Sequence, residues 1–125
     1  MQDAALIKER VFGLAPEVRY LAIYRNGELE LFQRESLSGA STSESDKYEE
    51  LLVNPALLTL AGQRGDIDCG GLDFLIVGYG NFYQLVLKVP HGHLSVAVER
   101  SADPIPFIER IRAVLDGPRS DAGAD

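Results

Sequence analysis

The sequence is short of cysteine, of positive charge and of long apolar runs, and each shortage closes off a class of function. A single cysteine, Cys69, in 125 residues cannot form an internal disulfide. The chain is therefore expected to be held by core packing, which suits a reducing cytoplasm. Lys and Arg number 12 against 19 Asp and Glu, a net charge of −7, and the basic residues are scattered along the chain. Nucleic acid is not an expected partner, because neutralising phosphates needs clustered cations. An anionic membrane surface is disfavoured on the same ground. The apolar run Phe74 to Val77 is far too short to cross a bilayer. The first residues, Met1-Gln2-Asp3-Ala4-Ala5-Leu6, lack the basic and apolar regions of a signal peptide, so a cytoplasmic location is expected.

What is present is an ordinary globular composition, 46% hydrophobic and 25% charged, in a length that suits one domain. Residues 1–116 are expected to form that domain, and 117–125 to fray as an unanchored tail. Asp3 to Phe12 reads as a short amphipathic helix, with Ile7, Val11 and Leu14 at helical spacing and a stop at Gly13 and Pro16. Val18 to Tyr24 and Glu28 to Phe32 read as a hairpin around Asn26-Gly27, a pair that tolerates the positive φ of a type I′ turn. Ser36 to Ser45 has the composition of a flexible loop. Helix resumes near Asp46. Asn54-Pro55 then interrupts it, and Asn54 suits the N-cap of a fresh helix from Pro55 to about Gly65 that buries Leu57, Leu58 and Ala61.

Three strands follow: Leu72 to Tyr79, almost wholly apolar; Phe82 to Val89 after a Gly80-Asn81 turn; and Leu94 to Glu99 after a His91-Gly92 turn. The last helix is expected to be capped by Asp103, with Pro104 just inside, and to bury Phe107, Ile108, Ile111, Val114 and Leu115. Short turns make the strands antiparallel neighbours. The fold class is α+β, one five-stranded antiparallel sheet sandwiched between helices. From the residues alone, Leu72 to Tyr79 is equally an edge strand or a central one.

The hairpin Val18 to Leu29, the pattern Leu75-Ile76-Val77-Gly78-Tyr79-Gly80 leading into Leu85-Val86-Leu87, and the closing Ile108 to Leu115 together resemble the roadblock/LC7 family, with its profilin-like fold. The resemblance covers roughly residues 3 to 116. It implies a non-enzymatic, homodimerising adaptor or regulator, with a small Ras-like GTPase or a signalling complex as partner. It also implies dimerisation through the edge of the third strand and the central helices, which places Leu57, Leu58, Ala61, Leu72, Phe74 and Ile76 at the interface. The long Ser-rich loop and the break at Asn54-Pro55 are departures near that surface. An apolar edge strand left open invites aggregation, and pairing with its own copy about a two-fold axis is a symmetric remedy.

The chemistry-bearing residues carry no cofactor, metal or catalytic reading. Cys69 has acidic neighbours, Asp66 and Asp68, which favour the thiol over the nucleophilic thiolate. The Asp66-x-Asp68 pattern resembles the start of a calcium loop but has Gly70 and Val77 where oxygen ligands are required. His91 and His93 are two ligands where zinc needs three or four, and read as exposed turn residues. Gly78-Tyr79-Gly80 joins strand to strand and lacks a dinucleotide loop's third glycine. Glu28/Glu30, Glu49-Glu50 and Glu109 read as solvated carboxylates. The alternative function is small-molecule sensing, with Tyr20, Tyr24, Tyr79, Phe82 and Tyr83 lining a pocket.

Overall fold

The hairpin forms where the turn residues dictate. Asn26 and Gly27 adopt φ of 54° and 79°, the positive values a type I′ turn needs. They join β1 (Val18–Arg25) to β2 (Glu28–Gln33) in antiparallel register, with Arg25 opposite Glu28 and Ala22 opposite Leu31. The computed structural model describes residues 3–34 and 43–117. Within them α1 spans Ala4–Phe12, a helical segment runs from Ser43 to Asp68, β3 is Leu75–Gly78, β4 Phe82–Val89, β5 Gly92–Glu99 and α4 Ile105–Asp116. The strands form one antiparallel sheet in the order β2-β1-β5-β4-β3. Thus β3 is an edge, paired within the described residues to β4 alone.

Strand alternation gives the sheet two unlike faces. One carries Val18, Leu21, Ile23, Leu85, Leu87, Leu94, Val96 and Val98, and packs against Ile7 and Val11 of α1 and Phe107, Ile108, Ile111 and Val114 of α4. This is the main core, and burying each such side chain contributes about 1.5–3 kcal/mol. The other face carries Tyr20, Ala22 and Ala97 beside the buried polar residues Gln84, His93 and Ser95. It lies under the central helical segment, which adds buried Glu50, Asn54 and Leu58.

Several expected boundaries move. The helix expected to begin anew at Pro55 is continuous: α2 (Ser43–Tyr48) passes through one π turn (Glu49–Val53) into α3 (Asn54–Asp68). Asn54 has helical φ and ψ and caps nothing; its N–H reaches the carbonyl of Glu49, five residues back. The wide turn accommodates Pro55, which has no N–H to give to the fourth residue back and whose ring would crowd that carbonyl. Ser43 to Ser45, expected in the loop, already belong to α2; the rest of that loop, 36–42, and the tail beyond 117 lie outside the described residues.

The third strand is shorter than expected because Asp73 is engaged elsewhere. Its carbonyl and carboxylate both accept from Arg112 of α4, at 2.8 and 2.5 Å. At the far end α4 starts one residue later than expected, with Asp103 Oδ1 accepting the Ile105 N–H at 3.2 Å.

The β4–β5 turn is Pro90-His91 rather than His91-Gly92. Proline presets the first turn position and His91 takes φ of 65°, while Gly92 opens β5 opposite Val89 and Arg25. A Cβ on Gly92 would overlap the Tyr24 carbonyl of β1. Gly92→Ala is therefore expected to destabilise the fold by about 2–4 kcal/mol, since backbone in a central strand cannot step aside. Urea unfolding of the two proteins measures it, and equal midpoints would show that β1 and β5 are less closely apposed.

Candidate functional site

Beneath the central segment a single carboxylate gathers the polar side chains of three strands. Glu50, fully buried, accepts at Oε2 from the Tyr20 hydroxyl of β1 (2.8 Å), the Ser95 hydroxyl of β5 (2.5 Å) and the Gln84 amide of β4 (3.4 Å). Its Oε1 takes the Asn54 amide at 3.0 Å and stands 2.8 Å from Nε2 of His93. An ionised carboxylate is acceptor-only and suits such a ring of donors. The π turn helps to build the cluster, because Glu50 lies within it and Asn54 follows one widened turn later on the same side. Widened turns of this kind are frequent at functional sites.

Serine, histidine and glutamate together suggest a hydrolase triad, but the geometry is not that of one. A triad passes the proton from serine to histidine, with the carboxylate behind the histidine. Here Ser95 and His93 both turn to the same carboxylate, and both are buried to within 2% of their surface. The cluster fastens the central segment to the sheet.

Above this cluster the surface opens into a cleft of about 490 Å³. Arg19, Tyr20 and Gln33 of the hairpin form one wall, and Ser45, Asp46 and Glu49 of the central segment another. Tyr79 to Phe82 of the β3–β4 turn form the third, with Gln84 and Ala97 also lining it. The Tyr79 and Phe82 rings lie 5.3 Å apart at 47°, a favourable tilted arrangement. The Tyr79 hydroxyl donates to Glu49 at 3.0 and 3.2 Å to its two oxygens.

Burial pushes the Glu49 carboxyl above the usual carboxylate range, a rise that the Tyr79 hydrogen bond offsets in part and the charges of Glu50 and Asp46 reinforce. Burial, and then the Glu49 carboxylate, push the Tyr79 phenol up to about 12. Tyr20 is raised further still, by burial first and Glu50 second. Both phenols have folded pKa values above their unfolded ones, so their contribution to stability is complete below pH of about 10 and is lost as pH rises through the folded values. An alkaline titration followed by tyrosinate absorbance should show a step near pH 12 that Tyr79→Phe removes, with Tyr20 ionising only on unfolding. A Tyr79 step at the ordinary phenol value would mean that the bond to Glu49 does not persist.

The residues singled out from sequence are dispersed. Cys69 is exposed beyond the end of α3, with Arg64 Nη1 at 3.3 Å and Asp68 Oδ1 at 3.4 Å. His91 is exposed on its turn, whereas His93, expected to be exposed there too, is buried in β5 under the central segment. Glu50, expected to be solvated, is the most enclosed carboxylate among the described residues. Of the five aromatic residues expected at a pocket, Tyr20, Tyr79 and Phe82 line the cleft; Tyr24 instead lies against His93, ring centroids 5.5 Å apart, and Tyr83 packs on the main core.

Of the residues assigned to an interface, Leu58 is buried within the subunit and Phe74 and Ile76 pack on the main core, while Leu57, Ala61 and Leu72 are half-buried. The outer side of the central segment is apolar as well. Tyr48, Leu51, Leu52, Leu60 and Ile67 are 62%, 44%, 59%, 65% and 75% exposed. The sequence signal for this second face was the excess of leucines over what one helix stripe can hold.

Neither a family model nor a curated protein matches the chain. Among solved structures the chain is similar to a Roadblock/LC7 domain from Streptomyces avermitilis, with a TM-score of 0.69 at 14% identity, covering 95% of this chain and 96% of that one. The fold is therefore of the roadblock/LC7 kind, as the sequence resemblance implied.

Proposed function

We propose that this protein is a non-catalytic, homodimerising adaptor or regulatory module of roadblock/LC7 type. In this reading it works in the cytoplasm and engages a small Ras-like GTPase or a signalling complex through its dimer. The observation that carries the proposal is the outer face of the central segment, where Tyr48, Leu52, Leu60 and Ile67 stand in solvent on a helix whose opposite side already packs on the sheet. A helix apolar on two sides needs two surfaces to bury them. A second copy supplies the other surface symmetrically.

The β3 edge supports the same seam. Tyr79 N–H donates to the Phe82 carbonyl, so strand alternation turns the backbone groups of Ile76 and Gly78 outward. The proposed interface thus joins β3 backbone to the exposed leucines, with half-buried Leu57, Ala61 and Leu72 at its margin. Leu58, Phe74 and Ile76 contribute mainly from beneath. No helix among the described residues is long and apolar enough to cross a membrane. Light scattering coupled to size exclusion at micromolar concentration should return twice the chain mass without any ligand. A monomer mass under those conditions would remove the proposal.

A further inference from the structure

The geometry points to the cleft over Tyr79 and Phe82 as a binding site for a small primary ammonium compound with an apolar body. The inference is independent of the dimer reading, since none of the exposed leucines lines the cleft. The acceptor pattern selects the ligand's charge. Asp46 and Glu49, three residues apart on the central segment, bring two carboxylates to one wall. Asp46 accepts from Gln33 Nε2 at 3.4 Å and Glu49 from the Tyr79 hydroxyl, and a carboxylate has lone pairs for more than one donor.

Gln84 adds a third acceptor. The residue is 2% exposed and lines the cleft, and its amide nitrogen is committed to Glu50 at 3.4 Å. Its carbonyl oxygen accepts no hydrogen bond from the described residues. This oxygen is not among the enclosed atoms that lack a partner, so it meets the cleft and is open to a ligand's donor. A primary ammonium has three N–H donors and no acceptor, which complements two carboxylates and an amide oxygen.

The walls select the ligand's body. Tyr20, Tyr79 and Phe82 offer apolar surface, and ring faces attract a cation set over them. The volume falls within the range of small-molecule sites, roughly 300–1,000 Å³. The cation at the rim does not reverse this polarity. Arg19 lies 5.5 Å over the Phe82 ring and donates to the Asn81 carbonyl at 3.3 Å, so it closes the end of the cleft and has its own partners.

Three probes of one shape and different charge test the inference: phenethylammonium, phenethyl alcohol and phenylpropionate, titrated into the intact protein at neutral pH and low salt. Nuclear magnetic resonance shifts of Tyr79, Phe82 and Gln84 report occupancy. The ammonium compound should bind saturably, and the alcohol and the carboxylate at least about tenfold more weakly. Glu49→Gln should weaken the ammonium compound by at least about tenfold, the equivalent of about 1.4 kcal/mol, with its circular dichroism unchanged. Asp46→Asn serves as the second variant should Glu49→Gln fail to fold. Absence of saturation by the ammonium compound, comparable binding of the three probes, preference for phenylpropionate, or full affinity in the folded carboxylate variants would each overturn the assignment.

Discussion

Glu50→Ala should destabilise the protein by about 3–5 kcal/mol, because one deletion leaves a whole buried polar cluster without its acceptor. The Tyr20 and Ser95 hydroxyls, the Gln84 and Asn54 amides and His93 all converge on that carboxylate. Alanine also leaves a cavity under the central segment. Glu50→Gln keeps the shape but offers one acceptor oxygen where there were two, and turns an N–H₂ group toward other donors. It should cost less than alanine and remain well above zero. Denaturant unfolding gives both values, and hydrogen exchange should show protection lost first along the central segment, which this cluster pins to β1, β4 and β5. A change below about 1 kcal/mol for Glu50→Ala, the size expected of a solvated surface carboxylate, would show that water reaches the site. The segment that Glu50 holds down also presents the outward leucines.

The second large effect concerns those leucines. Leu52→Asp combined with Leu60→Asp is expected to convert the proposed dimer into a folded monomer. Side chains at the centre of an interface contribute about 2 kcal/mol or more each when they are anchors. Burying a new carboxylate in their place adds a desolvation penalty. Together the two changes should raise the dimer dissociation constant by at least about a thousandfold, roughly 4 kcal/mol. Both residues are more than half exposed in the subunit, so its stability should change little. Sedimentation equilibrium measures the constant, and circular dichroism the fold. A double variant that still dimerises with its original affinity would move the interface off this helix face.

The two variants together separate the roles of the central segment. Its inner side is fixed by Glu50 and Leu58, and its outer side remains available. Loss of the inner contact should therefore weaken dimerisation as well, by letting the outer face drift. The coupling is reciprocal, so loss of the dimer in the outer variant should loosen the polar cluster by the same free energy.

The sequence by itself determined the parts of the fold that depend on neighbours in the chain. Asn26-Gly27 set the hairpin, because only a few residues tolerate two successive positive φ values. The stripe Phe107, Ile108, Ile111 and Val114 set the last helix and its buried side. The number of strands, their antiparallel neighbours and the α+β class followed, and so did the resemblance that the solved structure bears out at the level of fold.

Tertiary structure decided everything that rests on meetings between distant residues. Glu50 looks like any helix-surface carboxylate until Tyr20, Gln84 and Ser95 arrive from 30, 34 and 45 residues away. His93 looked like a turn residue because the turn falls one position earlier than Gly92 suggested. The cleft was legible only in its aromatic residues; its third acceptor, Gln84, comes from a strand far along the chain from the segment that carries Asp46 and Glu49. Local conformation is written in short-range sterics and periodicity, whereas burial of a polar group is an outcome of which surfaces close over it.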